Sequence, residues 1–409
     1  MHVVAAVGLT ILAALGPGPF AKGTHPGIGA TGPRDYYVYE SSKTAGGSRP
    51  LVVFLHGCSQ TAEDAAIGTR WTELAEQRDF VVVFPEQPAS ANGAQCWNWF
   101  LPDHQSRGAG EPAVIAEITK QVQASTGADP SRTYVAGISA GADMATILAA
   151  TYPDLFAATV GFAGCAYLTC TDITGAQARA AMGERVRVMP ALLLQGTADV
   201  LNNFALGETM MRQWVGTNGL DPTPTSTEHN GIDESYLANL GTTGDTCVRN
   251  RQFPCASGLV GGTTYPYSVE HYTDAKGCDV VDFWILHGLG HDYPGGDPAG
   301  SFTDPAGPDV TTASYDWMLR HRLGSPCGGV TAASASSSSA PAPAPAPAPA
   351  GTAGTAPTPA RPAELPRTGP ASGESPALLA ALAAFVGLFG RWMGLRGPFR
   401  RPKGTTERR

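Results

Sequence analysis

Gly137-Ile138-Ser139-Ala140-Gly141 places a serine between two glycines, after an apolar run at 132–139 and before a helical pattern at 140–152. A G-x-S-x-G turn between strand and helix strains the serine and lifts its hydroxyl above the sheet. The helix N-terminus beneath favours negative charge developing there. An ordinary turn with a helix-capping serine fits the same five residues, so the pattern needs partners. A serine hydroxyl attacks only when a histidine takes its proton and a carboxylate fixes that histidine's tautomer.

Such partners follow in the order serine, acid, histidine. In LLLQGTADV, Asp199 lies just past an apolar run at 190–195, at the carboxyl edge where such sites assemble. WILHGLGHDYPGG supplies His287, still within a strand, and His291 on the Gly-rich loop beyond it. Loop freedom lets His291 reach over the sheet, whereas His287 reads as a satisfied strand-end histidine. Asp172, Asp221 and Asp292 are rival carboxylates, read as solvated or capping residues. Gly288 and Gly290 break the face that the H-x-x-x-H spacing would otherwise give, so no metal is expected, and no cofactor is implied. An oxyanion needs two convergent N–H groups. Ala140 supplies one, and the turn in LHGCSQ (55–60) supplies the other through Cys58, with His56 supporting the turn.

These residues require a sheet edge. Apolar runs at 50–57, 80–86, 132–139, 158–164 and 190–196 alternate with helical patterns at 62–79, 111–125, 140–152 and 205–218. The strands lack polar alternation, which predicts a mostly parallel sheet covered on both faces, a three-layer α/β domain. Residues 221–279 break the rhythm, a hairpin is expected at the sheet edge, and a helix over 309–323 closes the domain.

Of the 409 residues, 43% are hydrophobic and 15% charged, a globular composition. Residues 22–368 hold 20 of the 27 basic and 33 of the 35 acidic residues, a net charge of −13. Such a surface repels phosphate backbones, so nucleic acid is not an expected partner. All eight cysteines fall between Cys58 and Cys327, and their even number favours disulfides in an exported chain. Cys165 with Cys170, and Cys247 with Cys255, are spaced for local staples.

Together, residues 55–87, CWNWF (96–100), GISAGADMA (137–145) and 288–309 resemble the polyhydroxybutyrate depolymerase/LpqC-like esterase family. That family is related to secreted feruloyl and acetylxylan esterases. The resemblance covers about 34–323, within a catalytic domain read as 34–328, and implies an α/β-hydrolase fold. It also implies Ser139 as nucleophile, Asp199 as acid, His291 as base, and Cys58 with Ala140 as oxyanion hole. Gln195 stands where relatives often carry histidine, a change expected to be silent. The substrate expectation is a short hydroxyalkanoate ester or oligomer, with acetylated or feruloylated polysaccharide as the alternative. A catalytically silent wall-anchored binding module is the rival from another class. Trp97 and Trp99 are candidates for an aromatic wall at the substrate, with at most one expected to face it, and core packing competes for both. A Cys58–Cys96 bridge would rigidify the oxyanion loop.

The ends bear on location. Residues 1–21 have a signal-peptide layout, although their amino end lacks Lys and Arg. Residues 329–364 are an Ala/Pro/Ser-rich stalk whose alternating Ala-Pro run favours polyproline II. Then come LPRTG (365–369), an apolar segment (376–395) and a basic tail (396–409). That order resembles a sorting signal cut by sortase between Thr368 and Gly369, joining the chain to peptidoglycan. A simple C-terminal membrane anchor is the runner-up. Both readings place the domain outside the cell.

Overall fold

The computed structural model describes residues 17–43, 48–231, 265–325 and 327. Among these, ten strands form one sheet: β1 (Phe20–His25), β2 (Arg34–Glu40), β3 (Leu51–Leu55), β4 (Val81–Pro85), β5 (Thr133–Ile138), β6 (Thr159–Phe162), β7 (Ala191–Gly196), β8 (Ser226–Asn230), β9 (Tyr267–Thr273) and β10 (Asp279–Leu286). Their spatial order is β1-β2-β4-β3-β5-β6-β7-β10-β9-β8. The centre from β4 to β10 is parallel, while β1, β2, β8 and β9 add antiparallel edges.

Alternation within β3 decides which layer each side chain enters. Val52 and Phe54 join one core with α1 (Ala62–Thr69), α2 (Trp71–Arg78) and, from the far end of the chain, Val310, Tyr315 and Met318. Leu51, Val53 and Leu55 face the other core, under α3 (Gly110–Thr126) and α4 (Ala140–Thr151). Further along that face, α5 (Ala176–Met182) and α6 (Phe204–Asn218) contribute Met182, Met210 and Trp214 over β7 and β10. The last helix described, α7 (Val310–Met318), begins where Asp309 accepts the Thr312 N–H. This is the doubly covered, mostly parallel sheet expected from the apolar runs, and it agrees with the α/β-hydrolase fold that the resemblance implies.

Three details differ from the sequence reading. The helical pattern at 62–79 is two helices, because the loop before α7 and the first turn of α7 take the terminal carbonyls of the first. Asp297 N–H donates to Gly68 O (2.8 Å) and the Thr311 hydroxyl to Thr69 O (2.6 Å), while Arg70 turns left-handed. The hairpin of β9 and β10 is not the edge, since β8 pairs outside it. β1 and β2, absent from the sequence reading, extend the opposite edge, and β1 starts inside the segment 1–21.

Disulfides join Cys58 to Cys96, Cys165 to Cys170, and Cys278 to Cys327. The last ties the start of β10 to the chain beyond α7. Cys247 and Cys255, the stalk, LPRTG with Thr368 and Gly369, the apolar segment and the basic tail lie outside the described residues.

Candidate active site

Ser139 stands between β5 and α4 with φ 55° and ψ −126°, a conformation that side-chain-bearing residues rarely hold. The two flanking glycines permit close backbone approach. A Cβ on Gly137 would lie 2.4 Å from the Gly141 carbonyl carbon, and one on Gly141 would lie 2.0 Å from Leu55 O. The Ser139 N–H donates to Phe162 O at the end of β6 (2.9 Å), which fixes the turn to the neighbouring strand. Ala140 opens α4, so its N–H belongs to the first turn, which has no carbonyl partner within the helix.

The loops after β7 and β10 are zipped together. Thr197 N–H donates to Leu286 O (2.9 Å), Ala198 N–H to Leu289 O (3.0 Å), and Gly288 N–H to the Thr197 hydroxyl (2.9 Å). Gly196 permits this, since a Cβ there would lie 2.4 Å from Leu289 O. The zipper delivers His291 to Asp199, where Nδ1 meets Oδ2 at 2.7 Å. Asp199 is buried, and its second oxygen accepts the N–H groups of Leu201 (2.9 Å) and Asn202 (2.8 Å). A fixed carboxylate on Nδ1 favours the proton there and leaves Nε2 as the nitrogen with a lone pair.

Gln195 holds the loop that carries Asp199. Fully buried on β7, its amide donates to Asp199 Oδ2 (3.2 Å) and to Asn202 O (2.8 Å). It therefore orients the carboxylate and clamps the loop that carries it. Gly207 of α6 makes room, because a Cβ there would sit 2.6 Å from Gln195 Cγ. The sequence signal was available: a polar side chain at the last inward position of an otherwise apolar strand.

The loop at 56–60, expected to supply the second oxyanion N–H, is held from several directions. Gln60 accepts the Gly57 N–H (2.8 Å) and donates to Ser301 O (3.0 Å), while Ser59 N–H donates to Ala94 O (2.7 Å). The Cys58–Cys96 bridge joins it to the tryptophan segment. His56 is buried, with Nδ1 on Gly57 O (2.7 Å) and Nε2 accepting the Gln87 N–H (3.0 Å). Burial lowers its pKa to about 4, so it is a neutral strut rather than a base. Beneath lies Glu111, fully buried, which accepts from Arg34 (3.1 Å), Gln87 (2.6 Å) and the backbone and side chain of Asn98 (2.7 and 2.8 Å). Burial alone would raise its pKa, but the donors, His104 foremost, hold it below the usual value.

Trp97 is completely buried, and its indole N–H donates to His56 O (3.1 Å). It supports the loop at 56–60 and cannot wall a solvent-filled cleft, which corrects its reading as a substrate contact. Trp99 is half-buried, packed against the same core layer that holds Trp97. His287 is the strand-end histidine expected: buried, within 3.0 Å of the Ser268 hydroxyl, with its pKa lowered to about 4 by burial. Asp172 accepts the Ala178 N–H (2.7 Å) at α5, and Asp221 accepts the Thr223 N–H (2.8 Å) in a turn. Asp292 follows His291, whose Nδ1 is on Asp199. Ligand atoms of His271, Asp279 and Asp282 gather within 4.8 Å. There His271 Nδ1 bonds Asp282 (2.9 Å), which raises the imidazole pKa, and Arg320 approaches Asp279 (3.8 Å). That group is engaged as an ion-pair network.

Residues 34–228 match the family described as Esterase PHB depolymerase. The chain is 36% identical to poly(3-hydroxyalkanoate) depolymerase C of Paucimonas lemoignei over 60% of its own length and 55% of that protein. It is 33% identical to a probable acetylxylan esterase A of Aspergillus fumigatus over 36% of its length and 40% of that protein. Among solved structures, an acetyl xylan esterase from Aspergillus awamori shares the fold with a TM-score of 0.50 and 24% identity, over 67% of this chain and 94% of that one. The chain thus spans about half the length, or less, of these two sequence relatives.

Proposed function

We propose that this protein is a serine carboxylic-ester hydrolase. The observation that carries the reading is the Asp199–His291 hydrogen bond, formed at the sheet edge where Ser139 occupies its strained strand-to-helix turn. His291 Nε2 takes the hydroxyl proton as Ser139 Oγ attacks the ester carbonyl, and the N–H groups of Cys58 and Ala140 receive the oxyanion. The C–O bond to the alcohol breaks as His291 returns the proton to it. Water, activated by the same nitrogen, then releases the acid and regenerates Ser139. No step needs a cofactor.

For the substrate, the match over 34–228 and the likeness to a poly(3-hydroxyalkanoate) depolymerase favour short hydroxyalkanoate esters or oligomers. The second reading, an esterase of acetylated or feruloylated polysaccharide, draws on the likeness to acetylxylan esterases. The site of action is proposed from the sequence: an export signal, a Pro-rich stalk and LPRTG place the domain on a cell wall through sortase and peptidoglycan.

A panel of p-nitrophenyl acyl esters, hydroxybutyrate oligomers, acetylxylan and methyl ferulate, run beside Ser139→Ala, tests the chemistry. Turnover abolished by that substitution is the expected result, and undiminished turnover overturns the assignment. No turnover on any ester favours a wall-anchored binding module. Thr368 recovered on peptidoglycan fragments is expected in wall digests, and its absence there favours the membrane anchor.

A further inference from the structure

We propose that Phe302 is the leaving-group wall of the cleft, kept in a strained backbone so that its ring flanks His291. The inference rests on the ester-hydrolase reading and adds the residue that selects the alcohol portion of the substrate. Phe302 has φ 51°, a left-handed conformation that a bulky side chain adopts only under constraint. Its ring centroid lies 6.3 Å from that of His291, edge to face at 81°. The residue is half-buried and belongs to none of the three hydrophobic cores of the described residues. Packing therefore does not account for an aromatic residue there.

The constraint comes from all sides of the loop. Tyr293 N–H donates to Phe302 O (2.7 Å), and Tyr293 pairs with Thr303 across a short parallel bridge. Ser301 N–H donates to Asp64 Oδ1 (2.9 Å), and the Thr303 hydroxyl to the carbonyls of Asp297 (2.7 Å) and Gly300 (2.9 Å). Gln60 holds Ser301 O at 3.0 Å with the same side chain that accepts the Gly57 N–H of the oxyanion loop. Phe302 is thus clamped between the oxyanion loop and the catalytic base. Strain over-determined in this way is characteristic of functional positions.

Chemistry decides which half of the substrate it meets. The departing alcohol receives its proton from His291, so its oxygen must lie at that ring. A side chain packed edge to face with His291 then borders the carbons of the alcohol and not the acyl chain. Alcohols with an apolar or ring-shaped body bury area against Phe302, and methanol has nothing to place there.

The test compares benzyl acetate with methyl acetate, whose acyl portions are identical, on wild type, Phe302→Gly and Phe302→Leu. Phe302→Gly is expected to lower the benzyl-to-methyl ratio of kcat/KM roughly tenfold or more. Phe302→Leu keeps bulk and strain, so it should show an intermediate ratio. An unchanged ratio in both variants overturns the inference. Failure of wild type on both these esters and the wider panel overturns the underlying reading instead.

Discussion

Asp199 and His291, 92 residues apart in sequence, meet through a 2.7 Å hydrogen bond between Oδ2 and Nδ1. The same carboxylate oxygen accepts the Gln195 amide, and the other accepts two backbone N–H groups. The Asp199 carboxylate is therefore fixed by its neighbours, and its orientation sets the tautomer of His291.

Asp199→Asn keeps the shape but can present an amide donor to Nδ1. The imidazole then carries its proton on the nitrogen that should receive one from Ser139. The expected loss in kcat is about 10⁴-fold, with KM changed little. Steady-state kinetics on any ester that wild type hydrolyses checks this, and a loss below tenfold would remove Asp199 from the triad.

Gln195→Leu preserves the approximate volume and deletes the donor to Asp199 Oδ2 and Asn202 O. Loss of a hydrogen bond to a charged group should lower kcat by roughly tenfold. Gln195→His offers a ring donor at the same strand position and should recover part of that loss. If leucine leaves kcat unaltered, Gln195 serves packing alone.

Much of this was legible because the chemistry resides in residue types at strand ends. Ser139 sits in a five-residue turn, Asp199 just past an apolar run, and His291 on a glycine-rich loop, all readable from local pattern. Gln195 escaped because its role depends on which way a buried amide points, and Trp97 because an aromatic ring outside any strand or helix reads equally as core and as cleft wall. β8 and the break at Arg70 escaped for another reason. Each is fixed by a distant partner: β9 for the strand, and the donors Asp297 and Thr311 for the helix end. Local propensity carries no such information.

The Cys58–Cys96 bridge closes a loop of 38 residues beside the oxyanion hole. The paired change Cys58→Ser with Cys96→Ser should cost about 3–4 kcal/mol of stability by chain entropy. It should also reduce kcat below the melting temperature, because the Cys58 N–H loses its tether to the Trp97 segment. Denaturant melts and kinetics on the double variant separate the two effects. Lost stability with kcat intact would show that Gln60 and the Ser59–Ala94 hydrogen bond position the loop alone.

Asp143, four residues after the nucleophile, is buried in α4 and accepts the Cys165 N–H at 2.8 Å. Burial raises its pKa from 3.8 to about 8, so the folded protein holds this proton more tightly than the unfolded chain does. Stability from this group is complete below pH 3.8 and is lost as pH rises towards 8. His56 and His287 act oppositely, since their lowered pKa values make stability fall as pH drops from 6.5 through 4. Asp143→Asn can still accept the Cys165 N–H and cannot ionise. It should match wild type at pH 4, where the histidine effect is common to both proteins. At pH 8 its Tm should be higher by at least about 3 °C, the shift of ~1 kcal/mol in a domain of this size. Melting curves from pH 4 to 8 decide the matter: parallel curves for the two proteins would mean that Asp143 is already ionised in the fold.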